Sequence, residues 1–266
     1  PQPPRVVDLT EIPATGRDRP ELRSFDDAVR GVMRDQGIPG AALAVARDGY
    51  LVLARGYGFA DRATRAPVAP DALFRIASLS KPLTAAAVLA LADDHGHSLD
   101  TPVLERLGVT PWTPAGRRPD PRLARVTLRH LLQHRAGWDR DKSGDPMFRA
   151  RTIARERKVA SPPDARTVAE WGLGQPLDFD PGTRYAYSNL GYCLLGRWIE
   201  TVAGKPYESV VRERILARAG VARMRVGSGR ADGRLPGEVA YHTPDDRTVA
   251  SVFSGDPPRV PEPYGF

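Results

Sequence analysis

The chain has 266 residues, 41% hydrophobic and 27% charged, the balance of a globular protein able to bury one substantial core or two lobes of one unit. No apolar run reaches the roughly 18 residues of a membrane-spanning helix, so no membrane span is expected. The formal net charge is +7, with only four lysines (Lys81, Lys142, Lys158 and Lys205) among 39 basic residues. The arginines are scattered without interleaved aromatics, which predicts no nucleic-acid partner and only a general attraction to anionic surfaces. The single cysteine, Cys193, excludes an internal disulfide framework and lies in an apolar helical pattern, as a small hydrophobe would.

Residues 1–20 are proline-rich and aperiodic, a leader that at most packs over the surface, and residues 21–266 form the domain. Leu22, Phe25, Val29, Val32 and Met33 recur at helical spacing and predict a helix from Leu22 to Gln36, stopped by Gly37. Ala41–Ala46 and Tyr50–Tyr57 read as two strands joined at Asp48-Gly49, a hairpin turn signal. Gly56-Tyr57-Gly58-Phe59 has the look of a nucleotide loop but continues a strand and opens no helix, so it predicts a strand bend.

Alanines and leucines then predict a helix through Ala92, ended at His95-Gly96-His97; no carboxylate or cysteine completes a metal site with those histidines. Pro111–Pro121 is a connector, and Thr127 is the expected N-cap of a short helix from Leu128 to His134. Arg149–Lys158 predicts a solvated helix face, and Thr167–Leu173 a further helix. Leu194, Leu195, Trp198, Ile199 and Val202 form an apolar stripe on a helix from Leu190 to Ala203. Pro206–Ala219 follows as another helix, with Val210, Val211, Ile215 and Leu216 inward and Gly220 as its stop. From Val221 onward only short strand-like pieces such as Glu238–Tyr241 are expected.

Two motifs carry chemistry. Ser78 and Lys81 stand three residues apart where the Ala-Leu helix begins, and Pro82 is tolerated there only in a first turn. Positions i and i+3 share a helix face, so the lysine amine can reach the serine hydroxyl, which is a poor nucleophile without an adjacent base. Taken alone, this pair reads first as a polar serine and a solvated lysine at a helix start. Tyr187-Ser188-Asn189 follows the turn Asp180-Pro181-Gly182-Thr183, and Asn189 is the only asparagine in the chain.

Ser78-x-x-Lys81, Tyr187-x-Asn189, Leu131–Trp138 and Pro181–Asn189 together resemble the serine β-lactamase and penicillin-binding-protein-like superfamily over roughly residues 20–225. Within it they are similar to the class C branch, with its family VIII carboxylesterases and D-amino-acid peptidases. The class A branch has Ser-Asp-Asn where this chain has Tyr-Ser-Asn. The resemblance implies an α+β fold of the β-lactamase/transpeptidase type, an antiparallel sheet flanked by helices plus a helical lobe. It also implies acyl transfer on Ser78, proton traffic shared by Lys81 and Tyr187, and Asn189 as a substrate- or lysine-orienting group. His134 is then expected to support the lobe rather than move protons, and no Gly-x-Ser-x-Gly elbow exists to pair with it.

A small ester, a D-amino-acid peptide or amide and a β-lactam all present a carbonyl to such a serine, with no metal or organic cofactor required. A catalytically weak penicillin-binding-like sensor or scaffold is the alternative. The third motif of the superfamily, Lys-Thr-Gly or His-x-Gly, is not found after Asn189: His242-Thr243-Pro244 lacks the glycine and Lys205 precedes proline. The C-terminal strands are therefore expected to be missing, and a separate C-terminal segment of the same fold is an expected partner. Export to the periplasm or outside the cell is expected from the resemblance.

Overall fold

The computed structural model describes residues 12–243 and 245–265. Residues 1–11 of the expected leader, Pro244 of the third-motif comparison and Phe266 lie outside the described residues. The chain divides into two compact units. One takes the N-terminal part up to Arg75, Gly227–Ser251 and the residues from Gly255 on; the other takes Ile76–Val226 with Val252–Ser254.

The first unit is built on an antiparallel sheet. Strands β1 (Ala14–Thr15), β2 (Gly40–Arg47), β3 (Tyr50–Asp61) and β4 (Ala66–Pro67) are arranged with β3 central, flanked by β1 and β2, while β4 pairs with the end of β3. The β1 strand falls inside the proline-rich stretch, where Ala14 faces Tyr57 and Thr15 faces Gly56. Asp48 and Gly49 both have positive φ, 52° and 80°, the left-handed pair that a two-residue hairpin turn requires. The register runs from Gly40 opposite Gly58 to Arg47 opposite Tyr50, with a bulge at Val45/Ala46.

The expected strand bend is present. Gly58 has φ +68°, and a Cβ there would lie 2.2 Å from the Pro39 carbonyl oxygen, so only glycine fits.

Helix α1 (Arg23–Gln36) ends at Gly37 in the left-handed conformation, with Pro20–Leu22 forming a 310 turn before it. Its apolar stripe is only partly buried. Met33 packs with Ile12 and Tyr57, whereas Phe25 and Val32 remain 38% and 55% exposed. Asp26 takes the inward position instead, because the buried Tyr57 hydroxyl donates to its carboxylate and Arg55 stands 3.8 Å away. Burial and the adjoining Asp26 carboxylate push the Tyr57 phenol well above its usual range.

Glu238–Tyr241 runs extended: Leu73 N–H donates to Gly237 and Val239 N–H to Leu73, and Ala240 N–H donates to Ala60. Strands β5 (Thr248–Ala250) and β6 (Arg259–Pro261) form a separate antiparallel pair.

The second unit is helical. Its helices are α2 (Ser80–Asp94), α3 (Leu128–Leu132), α4 (Arg140–Ser143), α5 (Ala150–Arg157), α6 (Ala165–Leu173), α7 (Asn189–Ala203) and α8 (Tyr207–Val211). The N-caps explain the boundaries: Thr127 makes a reciprocal capping box with His130, and Asp164 and Ser188 accept the Thr167 and Gly191 N–H groups. The α7 stripe Leu194, Leu195, Trp198 and Ile199 is buried against Val88 and Leu91 of α2 and Leu128 and Leu131 of α3. The predicted helix after Pro206 is α8 continued by a wider π turn over Arg212–Leu216. The basic stretch is not solvated all round, since Ile153 and Ala154 of α5 are buried, Ile153 packing with Val168 and Trp171.

Candidate active site

All four residues expected at the site lie in the helical unit, and the fold brings them together. Ser78 occupies a 310 turn, Ala77–Leu79, that leads directly into α2. Ala77 before it has φ +44°, an uncommon conformation for a residue with a Cβ, which turns the chain sharply and leaves Ser78 exposed at the helix mouth. Lys81, one turn on, donates from Nζ to Ser78 Oγ at 3.1 Å. Ser78 Oγ also lies 2.7 Å from Tyr187 Oη. Lys81 Nζ donates a second bond to Asn189 Oδ1 at 2.7 Å.

The Tyr187–Asn189 segment arrives extended, which explains the spacing of the motif. Side chains at i and i+2 of an extended segment share a face, so Tyr187 meets Ser78 and Asn189 meets Lys81 while Ser188 turns inward to cap α7. His134 suspends this segment at three points. Its carbonyl accepts the Ala186 N–H at 2.8 Å, its Nδ1 accepts the Ser188 N–H at 3.1 Å, and its ring stacks on Tyr187 with centroids 4.5 Å apart. An Nδ1 that accepts leaves the proton on Nε2. Burial, reinforced by the charge of Lys81, holds the His134 pKa below its ordinary value and keeps the ring neutral.

The electrostatics centre on Tyr187. Burial pushes its phenol up, but the Lys81 ammonium, the Ser78 hydroxyl and the charge of Arg140 together outweigh that and hold it below the ordinary value. The Lys81 Nζ lies 4.8 Å from the Tyr187 ring centroid and 5.5 Å from that of Tyr192, and Arg140 Cζ lies 4.6 Å from the Tyr187 centroid. Asn189 Nδ2 donates to Asp145 Oδ2 at 2.7 Å.

Arg140, Asp145 and Tyr192 were not singled out from the sequence. Nothing local in the sequence ties an aspartate to an asparagine 44 residues away. Cys193 is half-buried on α7, its thiol pushed up to about 11 by burial, and no thiolate chemistry is available to it near neutrality. Among the described residues no group of three or more His, Cys, Asp or Glu side chains is placed to hold a metal ion.

A serine bonded to a lysine one helical turn on and to a tyrosine from a Tyr-x-Asn segment, on an α+β scaffold, defines the serine β-lactamase and penicillin-binding-protein-like class. The comparisons agree. The Beta-lactamase family model matches residues 25–260, and the chain belongs to that family. The chain is 37% identical over 176 residues to a probable fimbrial assembly protein FimD, serogroup H1, of Dichelobacter nodosus, covering 66% of this chain and 39% of that one. It is 34% identical over 203 residues to Esterase EstB of Burkholderia gladioli, covering 70% and 46%. Among solved structures, EstCE1, described as a hydrolase with promiscuous acyltransferase activity, matches with a TM-score of 0.62 and 25% identity, covering 90% of this chain and 64% of that one. The chain thus spans less than half the length of these two curated relatives.

Proposed function

We propose that this chain carries the nucleophile of a serine hydrolase that works through an acyl-enzyme on Ser78, and that its substrates are small carboxylic esters. The observation that carries the proposal is the closed set of bonds around Ser78 Oγ. Lys81 donates to both Ser78 Oγ and Asn189 Oδ1, and Ser78 Oγ shares a hydrogen bond with Tyr187 Oη in which the serine is the donor whenever the phenol is ionised. Attack of Oγ on the ester carbonyl passes the serine proton to Tyr187, whose lowered phenol pKa suits it to the ionised state that can accept it. Collapse of the tetrahedral adduct expels the alcohol, which takes the proton back, and leaves the acyl group on Ser78. A water molecule then gives its proton to Tyr187 and attacks the acyl carbon, releasing the acid and restoring the Ser78 hydroxyl. Lys81 balances the developing charge, and the Ser78 N–H at the mouth of α2 supplies one oxyanion donor, worth about 3 kcal/mol.

Esters are preferred over amides on two grounds. Leu79, next to Ser78 in sequence, and Tyr185, whose ring meets that of His134, are 70% and 62% exposed, leaving apolar side chains uncovered beside the site residues. The relatives EstB and EstCE1 are named as an esterase and a hydrolase with acyltransferase activity. The test is a turnover panel of a p-nitrophenyl ester, a D-amino-acid p-nitroanilide and a chromogenic cephalosporin. It is run on residues 1–266 with and without a downstream segment of the same fold, since the activity proposed is that of the whole protein. Ester turnover exceeding the other two, and lost in Ser78→Ala, supports the proposal. Covalent labelling of Ser78 without turnover of any substrate in either preparation would instead favour a penicillin-binding-like sensor or scaffold.

A further inference from the structure

We propose that Asp145 is the positioning residue that sets the orientation of the Asn189 amide, and through it the place of Lys81 beside Ser78. An asparagine amide is nearly symmetric in shape, and its two ends are told apart by their partners alone. Here the partners leave no choice. Lys81 Nζ has only donors to offer and stands 2.7 Å from one end; the Asp145 carboxylate has only acceptors and stands 2.7 Å from the other. The carboxylate draws the NH2 toward itself, which obliges Oδ1 to face the lysine.

Asp145 is itself held. Its Oδ1 accepts the Met147 N–H at 3.0 Å as the cap of the Pro146–Phe148 turn, and its backbone carbonyl accepts the Phe148 N–H at 3.1 Å. Each carboxylate oxygen therefore has its own task, Oδ1 for the turn and Oδ2 for Asn189. Without Oδ2 the amide is free to turn its NH2 toward the ammonium, where two sets of donors repel. Lys81 then loses the acceptor that holds it within reach of Ser78 Oγ. The catalytic consequence rests on the acyl-enzyme proposed above; the orientation of the amide does not.

The two carboxylate tasks can be separated. Ser is as good a cap as Asp, so Asp145→Ser retains the turn but cannot reach Asn189. Because Asn189 is the only asparagine in the chain, side-chain ¹⁵N labelling of asparagine yields one NH2 pair in an NMR spectrum. The expected result is one proton of that pair shifted downfield and protected from exchange in the parent. In Asp145→Ser that proton should lose both signatures while the melting temperature is retained. A parent pair at the position of a free, rapidly exchanging amide would overturn the proposal without any variant being needed. So would a pair unchanged by Asp145→Ser.

The kinetic arm measures the rate of Ser78 labelling by a fluorophosphonate. Asp145→Ser should slow labelling about tenfold in the parent and not at all in an Asn189→Ala background. Independent, multiplying losses would mean that Asp145 acts on catalysis by another route. A parent that shows the protected amide yet never labels at Ser78 would sink the acyl-enzyme reading and leave the orientation standing.

Discussion

The phenol of Tyr187 stands under two opposing influences, burial raising its pKa and neighbouring cations lowering it, and the cations prevail. Acylation should therefore rise with pH as Tyr187 loses its proton, at a pH below that of an ordinary phenol. Arg140 contributes to this from 4.6 Å above the ring, so Arg140→Met should move the rise to higher pH while leaving the plateau rate largely intact. A pH–rate profile for ester hydrolysis checks this; an unmoved midpoint would show that Arg140 packs on the ring without influencing its ionisation. Tyr187→Phe keeps the ring stacked on His134 and removes only the hydroxyl. Turnover should fall by about a hundredfold or more with the melting temperature unchanged, and near-normal turnover would mean that another group carries the proton. His134 adds an acid limit. Its depressed pKa means that the unfolded chain binds the proton more readily than the folded one. Stability is accordingly kept above the unfolded value of about 6.5 and lost as pH falls through it toward the folded pKa.

At the scale of elements, the helix starts decide where the chemistry falls. Ser188 is buried, and its Oγ accepts the Gly191 N–H at 3.1 Å, fixing the first turn of α7 and hence Asn189. Ser188→Ala should cost about 1 kcal/mol, a fall of about 2–4 °C in thermal melting for a chain of this size, which calorimetry can read. No change would imply that packing alone holds the α7 start. These local devices are what sequence reasoning read well: Thr127 and Gly37 as helix boundaries, Asp48-Gly49 as a hairpin turn, and Ser78 with Lys81 on one helix face. Each is settled within four residues of chain. What escaped were pairings made through space, such as Asn189 with Asp145, Tyr187 with Arg140, and Tyr57 with Asp26. The last is instructive, because the α1 stripe of Phe25, Val29, Val32 and Met33 has the right period yet the helix turns a carboxylate inward to meet a buried phenol. Periodicity reports which faces are apolar but says nothing of a polar partner awaiting them.

Across the whole molecule, the apolar core is distributed unevenly between the two units. In the helical unit Leu91, Leu131, Leu190, Leu194, Leu195, Trp198 and Ile199 belong to one continuous buried cluster. In the sheet unit the buried cluster consists of Ile12, Met33 and Tyr57, with Val29, Ile38 and Leu43 only partly covered. Local stability follows buried apolar contact, so amides of α2 and α7 should exchange hydrogen far more slowly than those of α1 and β2. Exchange mass spectrometry resolves these segments, and uniform protection would mean that the sheet unit draws stability from something other than that core. The serine, lysine, tyrosine and asparagine all sit in the better-packed unit, which suits the close geometry that the proposed acyl transfer needs.

Acylation is expected on Ser78 alone. Its most direct test is exposure of residues 1–266 to a fluorophosphonate, followed by digestion and mapping of the adduct by mass spectrometry. One adduct per chain is expected, on Ser78, abolished by Ser78→Ala and retained in Ser80→Ala. An adduct on Ser80, Ser188 or any other serine, or undiminished labelling of Ser78→Ala, would contradict it.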